Sequence, residues 1–231
     1  MKVRRLHRWT LDYREAVAMQ EHLAGRVVEG PALEAARLVA AADVSAGRAG
    51  EWIAAAVVVM DLETFEVIEV RRAAMRAAWP YVPGLLSFRE APVVLAALRK
   101  VRARPDVLLC DGQGRAHPRR LGLASHVGLA IDTPTIGCAK SLLVGEAAGP
   151  LGPARGSRAA LMDGGQRLGT VLRTRAHVKP VYVSVGNGID LASAERWVLA
   201  AATRCRLPEP SRRAHQEVTA YRKEWVGRGY P

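Results

Sequence analysis

Cysteine is scarce in this chain of 231 residues, and its few occurrences are far apart. The three cysteines, Cys110, Cys138 and Cys205, are odd in number and form no CxxC pair. This spacing argues against a disulfide framework and against a zinc site. We therefore expect all three to be small core residues in a reducing compartment.

Long apolar runs are also missing. No stretch reaches the ~18 consecutive apolar residues of a membrane span, and the N-terminal sequence MKVRRLHRWT lacks the apolar centre of a signal peptide. We expect a cytoplasmic protein without a membrane partner. With 49% apolar and 24% charged residues the composition is that of a globular protein, and the length fits one domain over residues 1–231.

Acidic residues are outnumbered by basic ones. Lys and Arg number 34 against 22 Asp and Glu, which gives a formal net charge of +12, and only five of the 34 are lysines. Such an excess favours a polyanionic partner such as nucleic acid. Arginine suits bidentate contacts with phosphate, but a GC-rich genome would produce the same bias. Charge alone therefore leaves the partner open.

The apolar pattern predicts an ordered series of elements. An amphipathic helix over residues 12–28 comes first, followed by three antiparallel strands: RLVAAADVSAG, 52–60 and 64–75. A helix capped by Ser87, with Glu90 at its third position, follows. The next elements predicted are a buried strand over 107–110, the helix GLASHVGLAID and a strand over 135–139. After a loop over 145–156 we expect strands near 159–162, 167–172 and VYVSVGNGI, a helix over 194–203 capped by Ser193, and a C-terminal helix bearing His215.

This order describes an α/β fold with a mixed sheet, in which three antiparallel strands precede parallel strands and helices cover both faces. It is the order of the ribonuclease-H-like fold. In that fold the strand over 107–110 pairs with the first strand. Asp43 and Asp111 then become neighbours at the centre of the sheet.

Carboxylates in these positions suit phosphodiester hydrolysis. Carboxylate-bound hard cations neutralise an attacked phosphate and turn water into a nucleophile, and Mg²⁺ typically takes one or two protein carboxylates. Asp43, Glu90 and Asp111 match that demand. Lys140 could stabilise negative charge in the transition state, and His215 could orient or deprotonate water.

Each of these residues also has a simpler interpretation. Asp43 could pair with an arginine, because an unpaired acid in an apolar strand is expensive to bury. Glu90 could be a helix cap and Lys140 a solvated side chain. His117, His126 and His215 could each be structural. Only the joint occurrence of these residues on converging elements favours the functional interpretation.

Glycines and prolines shape the loops around these acids. We expect Gly112 and Gly114 to adopt positive φ and to approach another group closely. In the sequence PYVP, Pro80 and Pro83 stiffen the backbone around Tyr81 and Val82. The turn is either a rigid surface turn or a device that presents Tyr81 to a partner.

Five segments closely resemble the endonuclease V family, the deoxyinosine 3′ endonucleases of DNA repair. They are DGQGRAHPRRLGLASHVG, PYVPGLLSFRE, IGCAKSLL, VKPVYVSVGNGI and LPEPSRRAH, between about Asp43 and His215. The resemblance implies a ribonuclease-H-like fold and a Mg²⁺-dependent enzyme. We expect this enzyme to be a monomer and to accept Mn²⁺ in place of Mg²⁺. It implies cleavage of the second phosphodiester bond on the 3′ side of deoxyinosine in DNA, which leaves 3′-hydroxyl and 5′-phosphate ends.

The resemblance also implies roles for individual residues. It implies a metal site of Asp43, Glu90 and Asp111, with Lys140 and His215 assisting at the phosphate. The wedge corresponds to Pro80, Tyr81, Val82 and Pro83, with Tyr81 filling the gap left by an extruded base. A deaminated base pairs poorly, so rotating it out of the stack costs less. The pocket whose backbone groups hold hypoxanthine corresponds to Gly84, Leu86, Gly112, Gly114 and Gly122, with His117 in support.

Three residues depart from what is common in the family. Val82 replaces a frequent isoleucine, Cys138 a frequent valine, and Asn187 a frequent histidine. The first two are small changes of size in apolar surroundings, whereas Asn187 receives no role. Two alternatives stay open: an endoribonuclease acting on inosine in RNA, and a lesion-binding protein without catalysis. The second would be indicated by loss of an active-site residue, and all five are present.

Overall fold

The computed structural model describes residues 1–47 and 51–228, with side chains as far as residue 224. The described residues form five helices: α1 (Tyr13–Ala24), α2 (Leu86–Leu98), α3 (Leu123–Ala130), α4 (Leu191–Ala201) and α5 (Glu209–Arg228). They form nine strands: β1 (Leu38–Ala46), β2 (Trp52–Asp61), β3 (Val67–Arg76), β4 (Val107–Cys110), β5 (Thr135–Ala139), β6 (Glu146–Ala147), β7 (Arg158–Asp163), β8 (Gln166–Leu172) and β9 (Val181–Asn187). No described helix is long and apolar enough to cross a bilayer.

All nine strands belong to one mixed sheet in the order β3-β2-β1-β4-β5-β9-β8-β7-β6. β1 pairs antiparallel with β2 and parallel with β4, and β4 pairs parallel with β5. β5 pairs antiparallel with β9. This confirms the predicted mixed sheet, in which three antiparallel strands precede two parallel ones. The central pair β1 and β4 is buried on both faces, as the apolar runs in their sequences indicate.

Alternate residues of the central strands pack against helices on opposite faces. Side chains in the cluster with α2 and α3 include Ala40, Ala42, Leu108 and Cys110. Side chains in the cluster with α4 and α5 include Val39, Ala41, Val107 and Leu109. Cys110 and Cys138 are buried core residues as predicted, but Cys205 is only partly buried, so that expectation was wrong for the third cysteine.

Two predicted helix caps are wrong. Helix α2 begins at Leu86 after Leu85 and has no side-chain cap. Ser87 lies buried in the first turn, where its Oγ is 3.1 Å from His126 Nδ1. Helix α4 is capped by Asp190, whose Oδ1 accepts from Ser193 N at 2.8 Å, while Ser193 Oγ accepts from Leu33 N at 2.9 Å. In both cases a distant partner uses the serine hydroxyl that the local pattern assigned to a cap.

Other boundaries differ by a few residues. The N-terminal helix ends at Ala24 rather than at residue 28, with a capping box between Asp12 and Glu15 at its start. The segment over 145–156 contains the two-residue strand β6 rather than only loop. The strands over 107–110 and 135–139 have the predicted bounds.

Candidate active site

Asp43 and Asp111 lie side by side at the centre of the sheet. Ala42 of β1 is in register with Cys110 of β4, and Asp111 N donates to Ala42 O at 3.2 Å. The next residue on each strand is therefore an aspartate. Asp43 is 7% exposed, and its Oδ1 accepts from Val44 N at 2.9 Å. The parallel pairing inferred from the order of elements thus brings these two carboxylates together.

Glu90 reaches the same place from α2. Burial and then the charges of Asp43 and Asp111 raise the pKa of Glu90 to about 8. Burial and then the charge of Asp111 also raise the pKa of Asp43, although a hydrogen bond with His215 opposes the shift. The three carboxylates are therefore close enough to repel one another, and a bound cation would relieve that repulsion.

His215 and Lys140 pair with the two aspartates. Helix α5 packs on β1 and β2 and carries His215, whose Nδ1 is 2.7 Å from Asp43 Oδ2. Lys140 follows β5, and its Nζ donates to Asp111 Oδ2. Burial works to lower the pKa of Lys140, but the hydrogen bond and the charge of Asp111 outweigh burial and raise it. The side chains of His215 and Lys140 thus both lie at the acid cluster, as predicted.

The acid cluster fits Mg²⁺ by its chemistry. Within residues 1–47 and 51–224, no three His, Cys, Asp or Glu side chains are arranged as a ready ligand cage. In the described arrangement Asp43 and Asp111 pair with His215 and Lys140 instead. Because Mg²⁺ keeps most of its waters and takes only one or two carboxylates, it does not require such a cage. The oxygen donors and the repulsion among them suit a hard cation.

The PYVP turn presents Tyr81 to solvent. The Tyr81 side chain is 69% exposed, whereas Val82 packs against a cluster that contains Trp79 and Phe88. Trp79 Nε1 donates to Trp9 O at 3.1 Å, and Arg89 Nη1 donates to Trp79 O at 2.6 Å. The tip of the turn is therefore exposed while its base is held firmly.

A small cavity of about 90 Å³ opens beside this turn. Six of the residues predicted for the wedge, the pocket and its support line the cavity: Tyr81, Gly84, Leu86, Gly112, His117 and Gly122. Gln113, within the segment predicted for the pocket, also lines the cavity, as do three residues that the sequence did not indicate for it: Ser87, Leu123 and Leu143. The sequence signal that could have indicated such residues was their position near the glycines and the SFRE segment.

Gly114 belongs to the support of the cavity rather than to its wall. A Cβ on Gly114 would lie 2.0 Å from Val185 O, so the loop passes directly over β9. The expected close approach is therefore correct for Gly114. The expected positive φ is wrong for both Gly112 and Gly114, whereas Gly84 does adopt it, at +77°.

Residues around His117 hold the loops of the cavity together. His117 is buried, and its Nδ1 accepts from Arg119 N at 3.1 Å. Burial, followed by the charge of Arg119, lowers the pKa of His117 to about 4, so the ring is neutral at pH 7. Arg119 Nη2 and Gln20 Nε2 both donate to Gly84 O, at 2.8 and 3.1 Å. Gln20, on α1, was not indicated by the sequence.

Two of the arginines near Asp111 are engaged with acidic side chains. Arg115 pairs with Glu29, and Arg120 Nη2 lies 2.7 Å from Asp163 Oδ2. Asn187 also has a structural contact, since its Oδ1 accepts from Val28 N at 3.0 Å. A hollow of about 810 Å³ lies between the β2–β3 turn and the start of α5 and is lined by none of the predicted site residues.

Comparison with known proteins agrees with this geometry. The family model of endonuclease V matches residues 21–216. A curated endonuclease V from Rhodospirillum centenum is 49% identical over 224 residues, covering 93% of this chain and 90% of that protein.

Solved structures show the same likeness. The endonuclease V from Streptomyces avermitilis superposes with a TM-score of 0.89 at 41% identity, covering 98% of this chain and 100% of that chain. The endonuclease V from Ciona intestinalis, solved with a 24-mer DNA containing an inosine followed by a ribo-adenosine, superposes with a TM-score of 0.78 at 25% identity, covering 90% and 96%. This chain therefore belongs to the endonuclease V family and is an endonuclease.

Proposed function

We propose that this chain is a Mg²⁺-dependent repair endonuclease that recognises deoxyinosine in DNA. It would hydrolyse the second phosphodiester bond on the 3′ side of the lesion and leave 3′-hydroxyl and 5′-phosphate ends. One observation carries the proposal: the segments that supply Glu90 and Asp111 also line the small cavity, through Leu86, Ser87 and Gly112. A base held in the cavity would lie close to acids that can act on its own strand.

The carboxylates of Asp43, Glu90 and Asp111 would hold Mg²⁺, with Mn²⁺ as a substitute. When bound, the ion would neutralise charge on the attacked phosphate and make a bound water more acidic. The raised pKa values of Asp43 and Glu90 support the assignment, because burial is their first cause and repulsion from the neighbouring carboxylates is the second, and a bound cation would relieve that repulsion.

His215 has the geometry of a general base. A carboxylate can only accept hydrogen bonds, so a neutral His215 donates Nδ1–H to Asp43 Oδ2 across 2.7 Å. Its Nε2 then keeps a lone pair, and the side chain is 58% exposed. His215 Nε2 would take a proton from water as the water oxygen bonds to phosphorus, and the bond between phosphorus and O3′ would break with O3′ taking a proton from solvent.

Lys140 would act at the phosphate as a fixed positive charge. Its raised pKa keeps the ammonium group protonated near neutrality. The side chain is 41% exposed, so it can contact solvent or substrate while paired with Asp111. Hydrogen bonds from Nζ to non-bridging phosphate oxygens would stabilise charge that builds up in the transition state.

The Tyr81 turn and the cavity would share the recognition of the lesion. Tyr81 would stack in the space left by the extruded base, which pairs poorly and so leaves the duplex at low cost. The cavity would take the base, with backbone groups of Gly84, Gly112 and Gly122 at its wall. Both parts come from one chain, which supports a monomer as the active species.

Inosine in RNA is a second candidate substrate. The Ciona intestinalis relative was solved with an oligonucleotide that carries a ribo-adenosine directly after the inosine. A ribonucleotide on that side is therefore compatible with the fold of a relative. Parallel cleavage rates on matched inosine-containing DNA and RNA strands would decide which nucleic acid this chain prefers.

A nicking assay tests the proposal directly. We expect Mg²⁺ and an inosine-containing duplex to give one nick, one nucleotide beyond the lesion on its 3′ side. Asp43→Ala and Asp111→Ala should abolish the nick but keep part of the binding, because basic contacts to phosphates supply most non-specific affinity. Asp132→Ala, at an exposed acid that pairs with Arg4, is the matched control and should cut normally. No nick, or equal cutting of undamaged duplex, would refute the proposal.

A further inference from the structure

The cavity beside Tyr81 is lined by three polar side chains whose hydrogen-bond partners elsewhere decide what each can offer to a bound molecule. They belong to Ser87, Gln113 and His117. His117 accepts at Nδ1 from Arg119 N, so its single ring hydrogen is on Nε2, and the ring hydrogen-bonds with the Gly84 backbone. His117 therefore offers no free donor to a molecule in the cavity.

A buried chain of two histidines fixes the direction of the Ser87 hydroxyl. His7 Nδ1 lies 2.6 Å from Arg8 O, which can only accept, so His7 carries its hydrogen on Nδ1. His7 Nε2 must then accept from His126 Nε2 across 2.8 Å. His126 is neutral because burial lowers its pKa to about 3, so its Nδ1 accepts from Ser87 Oγ at 3.1 Å. Ser87 is thus a donor to His126 and has no hydrogen left for the cavity.

Gln113 is fixed in a similar way and leaves an acceptor unused. Its Nε2 donates to Ser141 O at 3.0 Å, which sets the orientation of the amide. Its Oε1 is buried and has no hydrogen-bond partner, and the whole residue is only 8% exposed. Among the described residues four buried side-chain atoms lack a hydrogen-bond partner. Of the four residues that carry these atoms, Gln113 alone lines this cavity. Such a carbonyl oxygen is unfavourable until a donor reaches it.

We propose that Gln113 is a specificity-determining residue whose Oε1 accepts a hydrogen bond from the N1–H of a deaminated purine. The inference rests on the proposed function, in which the cavity holds the extruded base. Hypoxanthine carries a hydrogen on N1, whereas adenine presents a lone pair there. An acceptor at this point, with the hydrogens of Ser87 and His117 engaged elsewhere, favours hypoxanthine over adenine. Gln113 would thus supply a side-chain contact beside the backbone groups of the glycines.

A cycle of protein and substrate changes tests this contact. The two substrates are single-stranded oligonucleotides that contain deoxyinosine or its 1-deaza analogue, which has C–H in place of N1–H. Single strands remove any difference in base pairing. The variants are Gln113→Met, Ser87→Ala and, as a matched control, Gln166→Met at an exposed position on β8. The readout is single-turnover kcat/KM with Mg²⁺.

The expected result is coupling between Gln113 and N1–H. The wild type and Gln166→Met should cut the 1-deaza substrate about 10-fold more slowly than deoxyinosine, the effect of one lost hydrogen bond in a buried site. Gln113→Met should cut deoxyinosine about 10-fold more slowly than wild type and show no further loss on the analogue. Gln113→Leu serves the same purpose if the methionine variant fails to fold.

Two results would overturn the inference while the proposed function stands. One is that Gln113→Met and Gln113→Leu cut the 1-deaza substrate more slowly than deoxyinosine by the same factor as the wild type does. The other is coupling that appears in Ser87→Ala instead, which would make Ser87 the acceptor. Failure of the wild type to cut deoxyinosine at all is a different result, since it would refute the proposed function and this inference together.

Discussion

At the scale of single residues, the site combines groups that a stable core would keep apart. Asp43, Glu90 and Asp111 could be brought together from the sequence, because parallel strands end at one edge and Glu90 lies on an element expected to converge there. The raised pKa values of Asp43 and Glu90 in the folded protein could not be predicted from the sequence. Glu90 acquires a pKa of about 8 only when burial and the two aspartates act together. The partners of Ser87 were equally hidden, since His126 lies 39 residues away in the sequence.

The raised pKa of Glu90 predicts that this residue destabilises the metal-free protein. When the pKa of a carboxyl is higher in the folded than in the unfolded protein, the free energy of unfolding falls as pH rises, here from about 4.5 towards 8. Without metal, we expect Glu90→Gln to increase the free energy of unfolding by about 2 kcal/mol at pH 8 and by almost nothing at pH 4.5; this magnitude is discounted for partial exposure. Urea unfolding in a chelator at both pH values measures the change.

Glu34→Gln is the control for this prediction, because Glu34 is 81% exposed and pairs only loosely with Arg196 at 3.5 Å. It should give no pH-dependent gain. Adding Mg²⁺ should raise the unfolding temperature of the wild type more than that of Glu90→Gln, since a ligand stabilises the state that binds it. An equal gain at both pH values would contradict the electrostatic explanation.

At the scale of elements, strands were easier to predict than helix starts. β4 and β5 have the predicted bounds because short apolar runs with polar flanks leave few alternatives. The starts of α2 and α4 were misplaced because the hydroxyls of Ser87 and Ser193 serve residues far away in the sequence. The stiffness of the PYVP turn was predicted from its two prolines. Its anchorage through Trp79, by contrast, depends on contacts with Trp9 and Arg89 that no local pattern shows.

This anchorage makes Tyr81 a well-defined target for mutation. We expect Tyr81→Ala to weaken binding to inosine-containing duplex by about 10-fold, the effect of one lost base–aromatic stacking contact. Binding to undamaged duplex should change by less than about 2-fold, because phosphate contacts dominate it. Tyr13→Ala is the matched control, since Tyr13 is 57% exposed and lies on α1 outside the cavity. Fluorescence anisotropy in a chelator measures both affinities, and an equal loss for both duplexes would rule out a wedge.

At the scale of the whole molecule, the chain carries a large positive charge, whereas burial keeps two of its histidines uncharged. The net charge of +12 favours a polyanionic partner. Inside the protein, His117 and His126 are buried beside the cavity and held neutral, with pKa values lowered to about 4 and about 3. The sequence showed these histidines but not their burial. Their neutrality ties the stability of the fold to pH.

Acidification should therefore destabilise the protein through these histidines. A histidine with a folded pKa below its unfolded value of about 6.5 contributes stability above pH 6.5, and that stability falls as pH drops towards the folded pKa. For His126 the window runs from about 6.5 to about 3. Within this window, titration of His126 should lower the free energy of unfolding of the wild type by about 1.4 kcal/mol for each pH unit of acidification.

His126→Gln tests this dependence, because glutamine does not titrate. The variant should be less stable than wild type at pH 8, where it loses the contacts with His7 and Ser87. Between pH 6 and pH 4.5 its stability should fall less steeply, so that the gap to the wild type narrows by about 1.4 kcal/mol per pH unit. His22→Gln, at an exposed position in the last turn of α1, should leave the slope unchanged. Urea unfolding across this range gives all three slopes, and parallel curves for His126→Gln and wild type would show that His126 is not held neutral by burial.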